Sequence, residues 1–139
     1  MEKENLKIVK AVAGIIINRN NEILVTQRDK GKCEEASLKW EFAGGKIEKG
    51  ETPQQALARE LQEELEINVT VGKKFFQVEH SYSTFHLSMP VYLCYIKNTN
   101  VKLNVHLNYK WLKPNEILSV DYAPADIPVA QKIFNELKI

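Results

Sequence analysis

The stretch GGKIEKGETPQQALARELQEELEI, Gly44 to Ile67, places three glycines ahead of a run crowded with glutamates. Thr52, Pro53 and Gln55 mark a helix start: an N-cap, a proline at the first helical position and a capping-box partner three residues on. At about 100° per residue, Leu57, Leu61 and Leu65 form one apolar stripe, and Glu60, Glu63 and Glu64 share the neighbouring arc with Ala56. Like charges one turn apart repel unless a positive group sits between them. Charged helix faces are usually solvated surface. Here the acids border the apolar stripe and follow a double-glycine turn, an arrangement suited to a hard divalent cation, which binds carboxylate and carbonyl oxygens. Arg59, four residues before Glu63, is placed for an ion pair, and Glu51 can fold back toward the same side.

Upstream of this helix, β-branched residues dominate from Ile8 to Ile17, Asn18 to Asn21 supply turn chemistry, and Ile23 to Thr26 is again apolar, so the pattern predicts a hairpin. Residues 29–38 read as a polar surface loop, and Trp40 to Phe42 as a short strand entering the glycine turn. Downstream, alternation through Phe76, Val78 and His80, then Phe85 to Tyr95, predicts a longer hairpin with Ser81 to Thr84 at its tip. Tyr109 to Leu112 forms a further short strand, and Ala130, Ile133, Phe134 and Leu137 recur at helical spacing. Strands mixed with two helices define an α+β sandwich, expected here as a single domain over residues 1–139.

The chain has 139 residues, 19 basic and 18 acidic side chains and a net charge of +1. That length is ample for one core. Interspersed charges leave no basic stripe for nucleic acid and no membrane patch, so the expected partner is a small molecule. Cys33 and Cys94 show no CxxC or zinc-ligand spacing and read as reduced thiols. The polar N-terminus MEKENLKIVK is unlike a signal peptide and no apolar run reaches membrane-span length, which points to the cytoplasm.

Gly45, five residues, Glu51, seven residues, then Arg59-Glu60-Leu61, one residue, and Glu63-Glu64 resembles the Nudix box, and WEFAGGK resembles the approach to it in MutT-like members, with Ala43 where proline is usual. The resemblance covers nearly the whole chain and implies an α/β/α sandwich, a mixed sheet between the box helix and a C-terminal helix. It implies Mg²⁺- or Mn²⁺-dependent hydrolysis of a nucleoside triphosphate to the monophosphate and pyrophosphate by a monomer or homodimer. By the same resemblance the metal ligands are Glu60, Glu64 and the Gly44 carbonyl. Glu63 is a further ligand or orients the attacking water, and Arg59 orients the glutamates. Glu51 belongs to the box, and equally reads as a charge favourable to the helix dipole.

Substrate choice falls to residues outside the box. Arg28 matches a basic position that contacts the nucleotide in MutT-like proteins, with a solvated surface arginine as the alternative. Phe42 lines a base pocket or simply fills core. Tyr82 and Phe85, at the long hairpin's tip, stack on a base or pack on the sheet. Lys46 reaches a phosphate or is solvated. The segment APADIP, Ala123 to Pro128, resembles a PAN-x-P segment that carries a base-reading asparagine. Asp126 stands in its place and suits either base recognition or the N-cap of the last helix. Together WEFAGGK and APADIP are most similar to the branch acting on CTP, dCTP, modified pyrimidine and oxidised purine triphosphates. Other readings are hydrolysis of a nucleoside diphosphate derivative such as ADP-ribose, or nucleotide binding with little turnover.

Two positions depart from the family pattern. Six residues before Trp111, where many MutT-like enzymes carry a metal-site glutamate, this chain has Val105, followed by His106, which reads as a surface-loop residue. Glu66 occupies the place of a helix-ending glycine, so the helix is expected to run on or end differently, with Glu66 pointing away from the metal-facing arc.

Overall fold

The computed structural model describes residues 6–31 and 33–139. Met1 to Asn5, the start of the polar N-terminal stretch, and Lys32 lie outside the described residues. Strands β1 (Lys7–Ile17), β2 (Ile23–Gln27), β3 (Trp40–Glu41) and β4 (Gly44–Lys46) precede helix α1 (Pro53–Leu65). Strands β5 (Thr70–Ser81), β6 (Phe85–Tyr95) and β7 (Asn108–Leu112) follow, and helix α2 (Ile127–Glu136) closes the chain. The expected loop at 29–38 contains a 3-10 turn, Glu34–Ala36, that buries Ala36.

The seven strands form one mixed sheet. β1 runs parallel to β6 along its whole length, β6 pairs antiparallel with β5, and β7 pairs antiparallel with β2. The first hairpin differs from expectation. Its turn is built by Asn18, whose Oδ1 accepts from the N–H groups of Asn20 and Glu22, but β1 and β2 share only the register pair Ile17 with Ile23. Beyond the turn the two strands part, and the segment Trp40–Lys46 fills the gap: β3 pairs with β2, Gly14 N–H donates to the Ala43 carbonyl at 2.9 Å, and β4 pairs with β1. Gly44 permits this, because a Cβ there would lie 1.9 Å from the Val12 carbonyl oxygen.

The period-two alternation sends side chains to opposite layers. Ala13, Ile15, Val25 and Val91 pack with Val129, Ala130 and Ile133 of α2. Val12, Ile16, Leu24 and Cys94 pack with Leu57, Leu61 and Leu65 of α1. The α/β/α sandwich is thus formed. Phe134 falls outside the packed stripe and is 49% exposed, because at about 100° per residue it lies beyond the arc spanned by Val129, Ile133, Leu137 and Ala130. Cys33 and Cys94 are free, and among the described residues no helix is long and apolar enough to cross a membrane.

Helix α1 starts as the sequence predicts, with the Thr52–Gln55 capping box in place. Its end corrects the expectation for Glu66. The helix stops where a glycine would stop it, with Glu66 itself left-handed at φ 54°, its N–H donating to the Gln62 carbonyl. The side chain is steadied at the surface by Asn104 Nδ2 at 3.2 Å and Lys102 Nζ at 3.8 Å. A left-handed non-glycine residue costs about 1–2 kcal/mol, partly offset in a glycine variant by the freer unfolded chain. Glu66→Gly is therefore expected to raise stability by about 0.5–1 kcal/mol, a thermal-midpoint rise of about 2–4 °C; a lower midpoint would contradict this account of the helix end.

Candidate active site

Burial of Leu57, Leu61 and Leu65 against the sheet turns Glu60 and Glu64 toward β4. Gly45 makes the approach possible: a Cβ there would lie 1.9 Å from Glu60 Oε2. Glu60 and Glu64 are close neighbours, and the Glu64 pKa is raised to about 8 by burial, then by the charge and hydrogen bonding of Glu60 and the charge of Glu41. Two carboxylates this close hold a proton between them. The ladder between β1 and β4 uses the Ala43 carbonyl and the Ile47 N–H. Its alternation turns the Gly44 and Lys46 carbonyls to the side away from β1. The Lys46 carbonyl accepts from Arg59 Nη2 at 3.1 Å, which leaves the Gly44 carbonyl as the next acceptor along that edge.

Arg59 braces this end of the helix. Its Nε and Nη2 donate to the two oxygens of Glu51 at 2.7 and 2.9 Å, and its Nη1 donates to Glu60 at 2.7 Å and Glu63 at 3.1 Å. Held by Arg59 and by the Glu48 N–H, the Glu51 carboxyl is lowered to about 2. Glu51 is thus committed to the brace. The expected Arg59–Glu63 pair forms, but Glu63 sits at the rim, 60% exposed, and does not line the cleft. Helical geometry explains it: Glu64 lies about 40° from Glu60, whereas Glu63 lies about 60° away on the other side. Among the described residues no three His, Cys, Asp or Glu side chains converge on one point. The donor set is two carboxylates and a backbone carbonyl, all oxygen, which fits Mg²⁺ completed by water and phosphate oxygens.

From this pair a cleft of about 660 Å³ runs between the sheet and the 29–38 loop, and Arg28, Lys46, Phe42, Tyr82, Phe85 and Asp126 all line it. Phe42 is buried, its ring stacked on Tyr122 at 5.3 Å. Tyr82 is more enclosed than a hairpin-tip residue was expected to be: it is buried, its hydroxyl accepts from the Ala125 N–H at 3.1 Å, and its ring stacks on Phe85. Asp126 makes no side-chain cap for α2, contrary to one expectation. Instead it is buried and its Oδ1 accepts from the Phe42 N–H at 3.2 Å. Burial, then the Glu41 charge, raise its pKa well above the ordinary carboxylate range, which favours the protonated form. Backbone bonds between β3 and residues 121–123 carry APADIP to this place: Trp40 N–H donates to Asp121, and Ala123 N–H to Trp40.

Two cleft residues change standing. His106 is no surface histidine: its side chain is 5% exposed and its Nε2 lies 3.0 Å from Glu41 Oε2. Glu41, which the sequence reading passed over, also takes Arg28 Nη1 on Oε1 at 3.0 Å. The signal for Glu41 was strand alternation, since a residue between Trp40 and Phe42 must face opposite to both. Val105, in the place of the missing glutamate, is 54% exposed at the cleft edge.

A mixed sheet between two helices, with paired helix acids facing a glycine turn, is the arrangement of a Nudix-type hydrolase fold. The chain belongs to the Nudix family: the NUDIX domain matches residues 7–133. It is 37% identical over 128 residues to a CTP pyrophosphohydrolase of Escherichia coli (strain K12), covering 91% of each chain. It is 34% identical to an 8-oxo-dGTP diphosphatase of the same organism, covering 92% of this chain and 98% of the relative. The structure of a MutT protein from Methanosarcina mazei Go1 superposes with a TM-score of 0.82 at 26% identity, over 94% of this chain and 95% of that one.

The two glycines give separable predictions. Gly44→Ala drives a Cβ into strand backbone and is expected to destabilise the fold by more than about 2 kcal/mol. Gly45→Ala meets the Glu60 side chain first rather than backbone, so it should lower the thermal midpoint less than Gly44→Ala and lose divalent-metal affinity; equal midpoint losses in both variants would contradict the assignment.

Glu64 gives a pH prediction. Its folded pKa, about 8, lies above the ordinary 4.5, so its contribution to stability is present below pH 4.5 and is lost as pH rises through 8. Without metal, Glu64→Gln should gain thermal stability relative to wild type as pH rises from 5 to 9; a relative loss at pH 9 would overturn the sign.

Proposed function

We propose that this chain hydrolyses nucleoside triphosphates between the α and β phosphates, with Mg²⁺ or Mn²⁺, giving the nucleoside monophosphate and pyrophosphate. The observation that carries this reading is the Glu60–Glu64 pair set against the Gly44–Gly45 turn, at one end of a cleft whose other end is lined by Phe42, Tyr82 and buried Asp126. The two E. coli relatives, named for CTP and 8-oxo-dGTP, support the same reaction class. The setting that fits is the free nucleotide pool of the cytoplasm.

In this reading Glu60, Glu64 and the Gly44 carbonyl hold the cation. A bound divalent ion neutralises charge developing on the polyphosphate and lowers the pKa of water. Arg59 keeps Glu60 aimed at the turn, and Glu63, from the rim, orients the attacking water. Lys46 and Arg28 carry positive charge along the polyphosphate and sugar path. At the far end a protonated Asp126 offers a donor and an acceptor side by side. That complements a base edge presenting an acceptor beside a donor, as ring N3 and the N4 amino group of cytosine do and as O6 and N7–H of an 8-oxoguanine do. One side chain thus suits both substrate classes.

Purified protein with Mg²⁺ should release pyrophosphate from at least one of CTP, dCTP, a modified dCTP and 8-oxo-dGTP. Glu60→Gln and Glu64→Gln should each lower kcat by about 10²-fold or more, and Asp126→Ala should raise KM with a smaller change in kcat. Release of a sugar phosphate from ADP-ribose, with no pyrophosphate from any triphosphate, would overturn the reading.

A further inference from the structure

The segment 101–107 is moored at both ends. Lys102 N–H donates to the Leu65 carbonyl at 3.0 Å and Asn104 N–H to the Glu64 carbonyl at 3.1 Å, while Asn104 Nδ2 donates to the Glu63 carbonyl at 2.8 Å. These satisfy carbonyls that the last turn of α1 leaves without intrahelical partners. At the other end Leu107 N–H donates to the Gln27 carbonyl at 3.0 Å, beside Arg28. The segment thus ties the acidic helix to the β2 end and delivers His106 between them.

There His106 Nε2 meets Glu41 Oε2 at 3.0 Å, and Arg28 Nη1 meets Glu41 Oε1 at 3.0 Å. Both oxygens of Glu41 are therefore taken by side chains of this chain. Arg28, its side chain 41% exposed on the cleft wall, has one guanidinium corner on Glu41 and makes no other side-chain hydrogen bond among the described residues. The carboxylate at Nε2 calls for the tautomer with its proton on that nitrogen. Nδ1 is then a lone pair, and it is buried with no hydrogen-bond partner among the described residues. Leaving a buried acceptor unmatched costs stability that an apolar side chain of similar size would not incur. Packing alone does not account for a histidine here; the bond to Glu41 does.

We infer that His106 is a positioning residue for nucleotide recognition: it locks the Glu41 carboxylate, and Glu41 in turn holds the Arg28 guanidinium toward the bound nucleoside triphosphate. The inference rests on the proposed triphosphate activity and on Arg28 touching the nucleotide. Neither His106 nor Glu41 touches the reacting phosphates.

The test compares His106→Leu, His106→Asn, His106→Gln, Arg28→Ala and the double variant His106→Leu/Arg28→Ala, using the triphosphate that wild type turns over best among CTP, dCTP and 8-oxo-dGTP. His106→Leu should keep or raise the thermal midpoint while KM rises about tenfold and kcat stays within about twofold. His106→Asn, polar but too short to reach Glu41, should show the same KM rise, whereas His106→Gln, long enough to donate, should restore KM to within about threefold. Arg28→Ala should raise KM at least as much, and the double variant should be no worse than Arg28→Ala alone. Arg28→Ala with unchanged KM would remove the nucleotide role of Arg28 and the inference with it. A KM rise in Arg28→Ala but in neither His106→Leu nor His106→Asn would overturn the positioning role alone. A lower midpoint with unchanged KM would make His106 a packing residue.

Discussion

Two carboxylates held against each other on one helix face set the terms for the rest of this molecule. Glu60 and Glu64 are brought together by the burial of Leu57, Leu61 and Leu65, and Glu60 is pressed onto a turn that accepts it because Gly45 has no side chain. Coulomb repulsion between such groups is relieved by a proton or by a cation. Without metal a proton serves: burial first, then the neighbouring Glu60 carboxylate, raise the Glu64 pKa to about 8. Arg59 does not relieve the repulsion fully, because its strongest geometry is the two-point grip on Glu51.

The sheet is arranged around that requirement. β1 and β2 part just beyond their turn so that Trp40–Lys46 can pass between them, and this one segment carries Glu41, Phe42 and the glycine pair in succession. Its inner strands are buried on both faces, so the turn is fixed by two layers of packing. The opposite end of the cleft is fixed by different means: backbone bonds from β3 to residues 121–123 place Asp126 against the Phe42 N–H. The Glu60–Glu64 pair at one end of the cleft and Asp126 at the other are thus both set against the same seven residues of chain.

What the sequence made legible follows the range of the forces involved. The capping box, the apolar stripe of α1 and the alternation of β6 from Phe85 to Leu93 are local patterns and form as read, while of the acidic arc Glu60 and Glu64 face the cleft and Glu63 stays at its rim. The first hairpin forms at its turn but parts after one pair, because strand partners are chosen by long-range pairing and a three-residue glycine strand gives no periodic signal. Glu66 was misjudged because tertiary contacts, here Asn104 and Lys102, help to hold a backbone conformation that its own propensity disfavours. For Asp126 the sequence leaves cap and base recognition both open, and for His106 it points to a surface loop, because each owes its burial to a partner far away in sequence, Phe42 and Glu41. Glu41, hidden between two aromatic residues of a short strand, is the clearest omission.

The central claim is that a divalent cation replaces a shared proton at the Glu60–Glu64 pair. Calorimetric titration of Mg²⁺ into the protein, in buffers of differing ionisation enthalpy, counts protons released per ion bound. The account predicts release close to one proton at pH 7, falling toward zero above pH 9 and absent at both pH values in Glu64→Gln. Mg²⁺ binding at pH 7 with no proton released by the wild-type protein would contradict it.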